Sequence, residues 1–200
     1  MPEPAFGIYV AHGLFWSAFG LALVVLRLRR AGDAMDVTTP VVTSQQTAPY
    51  SRLLVALHML AFAVMYTGVA LAVFSGAVPD WFPGQRVAGG LVIGLGAGLM
   101  VWALVYFRSW RFRARLDEGH QLATGGPFGL VRHPIYLGLN LLALGTGLWV
   151  PTPLVWLGFV LMLLGSDFRG RAEEKLLAKS FGDLYGSYAR RTRRFVPGLY

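Results

Sequence analysis

The most constraining feature of this 200-residue chain is a succession of apolar runs of membrane-spanning length. A helix needs about 20 consecutive apolar residues to cross a bilayer core. Three runs reach that length and two shorter ones follow, at residues 5–28, 53–74, 87–107, 135–150 and 154–164. Only Pro151-Thr152-Pro153 separates the two short runs, and because proline blocks the continuation of a helix, this tripeptide predicts a tight turn. We therefore expect an all-α integral membrane protein with five transmembrane helices, the last two forming a helical hairpin over 134–168.

The composition supports this fold class and excludes several others. Charged residues make up 14% of the chain, whereas soluble domains have roughly 25%. The apolar fraction of 55% excludes intrinsic disorder. Since the sequence has no cysteine, it excludes a disulfide scaffold and cysteine metal sites, and we predict no metal site. The first run is too long for a cleaved signal peptide and lacks a basic start, so we expect it to remain as an anchor.

The basic residues predict how the chain is oriented in the membrane. Five spans place residues 27–52, 108–132 and 169–200 on one side, and these segments hold 17 of the 18 lysines and arginines. The other side has Arg86 alone. Because basic residues are enriched on the cytoplasmic side, we expect an external N-terminus and a cytoplasmic C-terminus in a bacterial inner membrane. The net charge of +8 then reflects topology and contact with anionic membrane lipids, with no nucleic acid as partner.

Two features inside the apolar runs need interpretation. Gly90, Gly94 and Gly98 are spaced four residues apart, which predicts a helix face for close approach by another helix. His12 and His58 lie within the first two runs, where an ionisable side chain is a candidate for function. The alternative, which we favour for both, is a neutral histidine that hydrogen-bonds a neighbouring helix.

Polar and ionisable residues are concentrated after residue 107. We therefore divide the chain into a three-helix anchor region, 1–107, and a second region, 108–200, that holds the candidate site. A basic segment with a Gly-Gly-Pro turn leads directly into Arg132-His133-Pro134. Proline suits the first turn of a helix, so Pro134 predicts the start of the fourth helix. The positive end of that helix dipole lies beside Arg132 and His133, and this corner favours a carboxylate.

A second group of ionisable residues follows the hairpin. Arg169 and Glu173 are four residues apart, which places them on one helix face if the fifth helix continues beyond the membrane. Such a pair is usually a salt bridge on a solvated surface. Here the hairpin returns both residues to the side of His133 and Tyr136. An acid, a base, an imidazole and a phenol are therefore expected to converge at one membrane interface.

Three spaced motifs occupy much of residues 113–200. They are Gly-Gly-Pro-Phe-x3-Arg-His-Pro-Ile-Tyr-x-Gly at 125–138, Arg-x3-Glu-Glu at 169–174 and Phe-Gly-x2-Tyr-x2-Tyr at 181–188. This pattern resembles the isoprenylcysteine carboxyl methyltransferase family and the related phospholipid methyltransferases. The resemblance implies a membrane methyltransferase that uses S-adenosyl-L-methionine (SAM) without a Rossmann domain, and the sequence has neither GxGxxG nor a P-loop. The implied cofactor contacts are His120, Gln121, Leu122, Ala123, Phe128, His133, Pro134, Ile135, Tyr136 and Glu173.

The resemblance also implies residues for the methyl acceptor. It places Arg169 beside the substrate, as the candidate catalytic residue, and we assign Arg191 in the tail to substrate binding as well. By their chemistry, Glu173 suits the ammonium group of the methionine moiety and His133 suits its carboxylate, while Arg169 suits a carboxylate on the acceptor. A lipophilic or prenylated acceptor is expected to enter from the bilayer.

The chain departs from the family pattern at three places. Phe128 stands where a tyrosine is common, so a contact there is limited to stacking. Arg113 aligns with a glutamine of eukaryotic members, and its role toward the cofactor stays open. In the tail, the proline expected after Arg191 is missing.

Other functions remain open at this stage. Carboxyl O-methylation of an isoprenylcysteine-like acceptor is favoured, and N- or S-methylation of a phospholipid or another small lipophile is the nearest alternative. A sterol-reductase-like membrane enzyme that uses NADPH is an alternative from another reaction class, in which residues 108–115 would hold a phosphate. A small transporter or scaffold is the non-enzymatic alternative. The oligomeric state cannot be read from the sequence.

Overall fold

The computed structural model describes residues 4–30, 46–48, 50–76, 78–107, 115–116 and 121–199. These residues form helices α1 Pro4–Arg30, α2 Ser51–Phe74, α3 Gln85–Tyr106, α4 Pro127–Leu130, α5 Pro134–Trp149 and α6 Pro153–Arg191. Two short strands, β1 Gln46–Thr47 and β2 Arg115–Leu116, pair in antiparallel orientation. The sequence does not predict this strand pair, because two residues are too few to show alternation.

Four helices in the described part of the chain are long and apolar enough to cross a membrane, by length and composition: α1, α2, α3 and α6. Helix α5 is a shorter apolar helix of 16 residues, about 24 Å long at 1.5 Å per residue. The predicted helical architecture with several apolar helices is confirmed. The count of five spans stays a prediction, because α5 is shorter than a bilayer core.

Helices α5 and α6 form the predicted hairpin, with Val150–Thr152 as the turn. Proline occupies the first turn of both helices, and the Thr152 hydroxyl accepts a hydrogen bond from the Val155 N–H at the start of α6. Helix α6 continues well past the apolar run, so Arg169 and Glu173 are helical as expected. Its path is interrupted at Gly182, where φ is +50°, a conformation that glycine adopts with little strain.

The first three helices pack directly on the hairpin. Helix α3 lies along α5, α2 lies along α6, and α1 packs on α3. The closest approach is between α3 and α5, where a Cβ atom on Gly96 would lie 2.7 Å from the Gly138 carbonyl oxygen and one on Gly89 would lie 2.6 Å from that of Gly145. Glycine at these positions lets two backbones touch. The boundary near residue 107 stays a prediction.

The predicted glycine face of the third helix is wrong at two of its three positions, since only at Gly90 would a Cβ atom lie close to a neighbouring helix, 3.1 Å from the Trp149 ring of α5. Gly94 and Gly98 are exposed, and a Cβ atom on either would meet no described atom within 4 Å. Four residues exceed one helical turn by about 40°, so a strict four-residue repeat drifts around the helix. The true contact face alternates three- and four-residue steps, through Gly89, Ile93, Gly96 and Met100, all of which are buried.

We expect Gly96→Leu to destabilise the protein by at least about 1–3 kcal/mol, because the side chain would overlap the α5 backbone. Gly94→Leu is the matched control on the same helix, and it should be neutral or slightly stabilising, since leucine has the higher helix propensity. Thermal unfolding in detergent measures both. Equal melting temperatures for the two variants would show that α3 and α5 do not meet along the Gly96 face.

Candidate functional site

Four ionisable or aromatic side chains meet where α5 begins and the apolar part of α6 ends. We call Arg169, Glu173, His133 and Tyr136 the Tyr136 cluster. The Tyr136 hydroxyl donates to Oε1 of Glu173, and the Cζ atom of Arg169 lies 4.8 Å from the centroid of the Tyr136 ring. The His133 ring stacks on Tyr136 with centroids 5.6 Å apart, and its Nδ1 is 3.6 Å from Oε2 of Glu173. The hairpin therefore produces the expected convergence, while the chemical roles of these residues stay predictions.

The cluster is buried except at its carboxylate. His133, Tyr136 and Arg169 are 7%, 3% and 5% exposed, whereas the Glu173 side chain retains 22% exposure. Electrostatic interactions are stronger in such a site than in water. Glu173 is therefore the acidic group of this cluster that a bound cation can reach.

The neighbouring Glu174 forms a separate ion-pair network. Its Oε1 accepts from Arg132 Nε at 2.9 Å and from Arg194 Nε at 3.0 Å, and its Oε2 accepts from Arg194 Nη2 at 2.6 Å. The same Oε1 lies 3.2 Å from His133 Nε2. Arg194 also donates through Nη1 to Asp167 at 3.0 Å. One carboxylate thus joins the residue before His133, helix α6 and the C-terminal tail.

The tail also pairs with the segment before α5 through its backbone. The Arg132 N–H donates to the Arg193 carbonyl at 2.8 Å, and the His133 N–H donates to the Arg194 carbonyl at 3.2 Å. The buried Phe195 ring lies 5.8 Å from the His133 ring. His133 is therefore held between the cluster on one side and the tail on the other.

Sequence reasoning gave no role to Glu174, Arg194 or Asp167, and it placed Arg132 at a corner that favours a carboxylate without indicating which one. The available signal was the Glu-Glu doublet. Adjacent residues on a helix point about 100° apart, so the two carboxylates must serve different surroundings. The basic tail supplies one partner for Glu174, but only the tertiary structure shows which arginine it is.

The predicted cofactor segment 120–123 is partly described. His120 lies outside the described residues, as does Arg113. Leu122 packs against an apolar cluster on the distal part of α6, and Ala123 packs against the main core. The Gln121 side-chain nitrogen is buried and has no hydrogen-bond partner among the described residues. A buried donor without an acceptor is costly, so Gln121 is suited to a ligand acceptor.

Phe128, Pro134 and Ile135 are all buried. The Phe128 ring packs edge-on against Phe107 with ring centroids 5.2 Å apart. The backbone carbonyl of Phe128 accepts a hydrogen bond from the Tyr188 hydroxyl at 2.7 Å. Pro134 and Ile135 form the first turn of α5. These residues fix the backbone that presents His133 and Tyr136.

Arg191 has different surroundings from Arg169. It is exposed in the last turn of α6, and its Nε donates to the Ser187 carbonyl of the same helix at 3.3 Å. The structure therefore does not place Arg191 in the Tyr136 cluster, and its assignment to the substrate stays a prediction.

The two histidines in the apolar helices have different neighbours. His12 lies 2.8 Å from the Tyr66 hydroxyl and 2.9 Å from the Thr146 hydroxyl, which joins α1 to α2 and α5 as the favoured interpretation expects. His58 lies 3.4 Å from the Ser166 hydroxyl, and its ring centroid is 5.9 Å from that of Tyr136. His58 thus adjoins the Tyr136 cluster from the membrane side.

Two opposing effects act on the pKa of His133. Burial lowers the pKa of the ring, while the hydrogen bonds and negative charges of Glu173 and Glu174 raise it more. The pKa therefore stands above the ordinary value of 6.5. The protonated form stabilises the folded chain fully below pH 6.5, and this stabilisation is lost as pH rises through the pKa of the folded state.

We expect His133→Asn to lower the melting temperature more at pH 6 than at pH 9. The wild-type chain gains from protonated His133 only at the lower pH, whereas asparagine is neutral throughout. Paired thermal unfolding of both proteins across this range isolates the effect of His133, because the other titrating groups are common to both. If the gap in melting temperature between the two proteins grew as pH rises, the pKa of His133 would be lowered in the folded state and not raised.

Glu173 and Glu174 are adjacent, so the same substitution at each allows a matched comparison of their contributions to the free energy of unfolding. Glu174→Gln should cost about 1.5–3 kcal/mol, because Arg132 and Arg194 lose a charged acceptor in a largely buried position. Glu173→Gln should cost less than half of that, since glutamine still accepts from the Tyr136 hydroxyl. Thermal or denaturant unfolding of both variants tests the assignment, and a reversed order would make Glu173 the structural residue.

Comparison with known proteins gives one family match, to the model described as phospholipid methyltransferase, over residues 85–184. That region includes every residue of the Tyr136 cluster. A probable protein-S-isoprenylcysteine O-methyltransferase of Oryza sativa subsp. indica is 34% identical over 87 residues, 42% of this chain and 45% of the relative. Protein-S-isoprenylcysteine O-methyltransferase B of Arabidopsis thaliana is 32% identical over 87 residues, 42% of this chain and 44% of the relative.

A relative with a different name also matches. The cobalt-zinc-cadmium resistance protein CzcN of Cupriavidus metallidurans is 37% identical over 86 residues, 41% of this chain and 38% of the relative. The chain thus spans less than half of the length of each of these three relatives.

Proposed function

Because the chain belongs to the phospholipid methyltransferase family, we propose that it is an integral membrane methyltransferase that uses SAM. The proposed reaction is transfer of a methyl group to a lipophilic acceptor, with the carboxylate of an isoprenylcysteine-like compound as the favoured acceptor. The observation that supports this most directly is the Tyr136 cluster, where a partly exposed carboxylate and a buried guanidinium flank one tyrosine.

The donor set of the site fits SAM. The cofactor has an ammonium group, a carboxylate and several ring acceptors. Glu173 offers a reachable anion for the ammonium group. Both ring nitrogens of His133 already face Glu173 and Glu174, so protonated His133 would attract the carboxylate through its charge, together with the positive end of the α5 dipole. The buried Gln121 nitrogen, which lacks a partner within the described chain, offers a donor for a ring or ribose acceptor.

When bound, SAM supplies an electrophilic methyl group on a sulfonium. The residues of this chain then have binding and orienting roles. The Tyr136 hydroxyl orients the Glu173 carboxylate by donating to it, and the tail closes one side of His133. A buried arrangement of this kind excludes water and aligns the reactants, which lowers the barrier of a displacement reaction.

Arg169 is proposed to hold the acceptor. A guanidinium binds a carboxylate through two parallel hydrogen bonds, which fixes the orientation of the nucleophilic oxygen. An acceptor carboxylate is already ionised at neutral pH, so no general base is required. Methylation of a neutral amine, such as a deprotonated phospholipid headgroup, leaves a positive charge on the nitrogen, and the buried cation of Arg169 disfavours a second cation beside it. Carboxyl methylation is therefore preferred over N-methylation.

Two further parts of the proposal concern the class of reaction and the side of the membrane on which it takes place. The family match favours methyl transfer over the alternative of an NADPH-dependent reductase. The split of 17 to 1 among basic residues supports a cytoplasmic C-terminus and hence a cytoplasmic Tyr136 cluster. That side is the one where SAM is available. The acceptor is proposed to enter from the bilayer, because it is lipophilic.

We expect Glu173→Gln to weaken SAM binding about tenfold or more, since a charge-assisted hydrogen bond contributes about 1.5–3 kcal/mol. Asp183→Asn is the control, because it removes one carboxylate from an exposed position of the same helix. Calorimetric titration of each purified variant with SAM gives the dissociation constants. An unchanged constant for Glu173→Gln would remove this residue from the cofactor site.

Arg169→Lys should leave SAM affinity within a few-fold of wild type while turnover falls at least about tenfold. Lysine keeps the charge but cannot reproduce the planar fork of arginine, and a nucleophile misplaced by about 1 Å can lose about a hundredfold in rate. Arg190→Lys, at an exposed position of the same helix, is the control. Binding and methyl transfer are measured on the same preparations. Equal losses in both would place Arg169 in the cofactor pocket, and no loss in either would make it a structural residue.

A further inference from the structure

A groove of about 810 Å³ lies between the start of α2 and the middle of α6, on a different face of α6 from Arg169 and Glu173. Polar and apolar side chains from both helices and from β1 line it. The lining residues are Thr47, Tyr50, Leu54, Phe168, Arg171, Ala172, Lys175, Leu176 and Lys179.

The basic residues of this groove come from consecutive turns of α6. Arg171, Lys175 and Lys179 are spaced four residues apart, so neighbouring members adjoin on the helix surface with a drift of about 40° per step, and all three line the groove. The two lysines are the only lysines in a chain with 18 basic residues. Asp167 accepts from Arg171 at 2.7 Å, but it also accepts from Arg194 at 3.0 Å. No aspartate or glutamate is among the described residues that line the groove, so this described lining has a surplus of positive charge.

The apolar residues of the groove place it at the membrane boundary. Leu54 lies in the first turn of α2, which is one of the candidate spans. Phe168, just beyond the apolar run of α6, is 49% exposed, and Tyr50 is 78% exposed. An exposed tyrosine such as Tyr50 is typical of the headgroup level of a membrane, and the exposed Phe168 ring adds apolar surface beside it. The groove thus combines an apolar wall at bilayer depth with cations that reach outward on long flexible stems.

We propose that this groove binds the headgroup of an anionic phospholipid, with the phosphate between Lys175 and Lys179 and the upper acyl chain along Leu54 and Phe168. Charge complementarity favours this occupant, because anionic lipids are attracted by clustered basic residues beside a membrane span. A zwitterionic lipid would place its own ammonium group among these cations. The bound lipid is a structural ligand and not the methyl acceptor, so this inference stands independently of the proposed reaction.

The test is calorimetric titration of the full-length protein in detergent with short-chain phosphatidylglycerol. Short-chain phosphatidylcholine replaces it in a second arm, and glycerol phosphate, which has the anionic group without acyl chains, replaces it in a third. We expect phosphatidylglycerol to bind at least about tenfold more tightly than either. Equal binding of phosphatidylcholine, or equally tight binding of glycerol phosphate, would overturn the proposal.

Charge-matched variants locate the binding. Lys175→Gln/Lys179→Gln should weaken phosphatidylglycerol binding at least about tenfold. Arg190→Gln/Arg193→Gln removes the same charge from exposed positions outside the groove and should change it less than twofold. If both double variants bound phosphatidylglycerol equally weakly, the net charge of the protein and not the groove would explain the binding. If the lysine variant bound it as tightly as wild type, the groove would be excluded as the binding site. All four substitutions are on the surface, and a melting temperature in detergent verifies that each variant is folded.

Discussion

The site depends on one carboxylate that binds across three segments of the chain. Glu174 accepts from Arg132 before α5 and from Arg194 in the tail, and it lies beside His133. Hydrogen bonds between charged groups are roughly twice as strong as neutral ones, and this network is largely buried. The segment that carries His133 is also tied to the tail by two backbone hydrogen bonds, and Arg132 Nη1 donates to the carbonyls of Ala189 and Thr192 near the end of α6. The two adjacent glutamates therefore have different surroundings: Glu174 joins the three segments, and Glu173 keeps 22% of its side chain exposed and is available for the proposed cofactor.

The hairpin explains why these charges are found at one end of the molecule. Helix α5 is held to α3 by backbone contact at paired glycines, and α6 is held to α2. Two prolines start the two helices, and the turn between them is short. Arg169 and Glu173, which follow the apolar run of α6 by about one and a half and two and a half turns, then lie beside the start of α5. The position of the Tyr136 cluster is a consequence of helix length.

The sequence predicted the elements of this arrangement better than its details. Hydropathy and prolines predicted the apolar helices and the hairpin, because both depend on local chemistry. The convergence of Arg169 and Glu173 with His133 and Tyr136 followed from helix periodicity. The packing face of α3 was misplaced at Gly94 and Gly98, because a strict four-residue repeat drifts about 40° per step away from the face that packs on α5.

The arginine of the tail that pairs with Glu174 could not be predicted either, and the reason is different. Several arginines follow α6, and the choice of Arg194 is made by backbone pairing of the tail with residues 131–133. That pairing joins residues about sixty positions apart, and a two-stranded contact of this length has no periodicity in the sequence. Long-range contacts between irregular segments are decided by the whole fold.

The proposed methyl transfer from SAM to a membrane lipophile can be followed with an isotope label. Purified protein in lipid is incubated with SAM that has a deuterated methyl group and with candidate isoprenylcysteine and phospholipid acceptors, and the extract is analysed by mass spectrometry. We expect a deuterated methyl ester on the carboxylate acceptor, formed by the wild-type protein and strongly reduced with Arg169→Lys. Label on a lipid amine alone would contradict the assigned acceptor. No labelled product, together with a melting temperature raised by NADPH and not by SAM, would contradict the reaction itself.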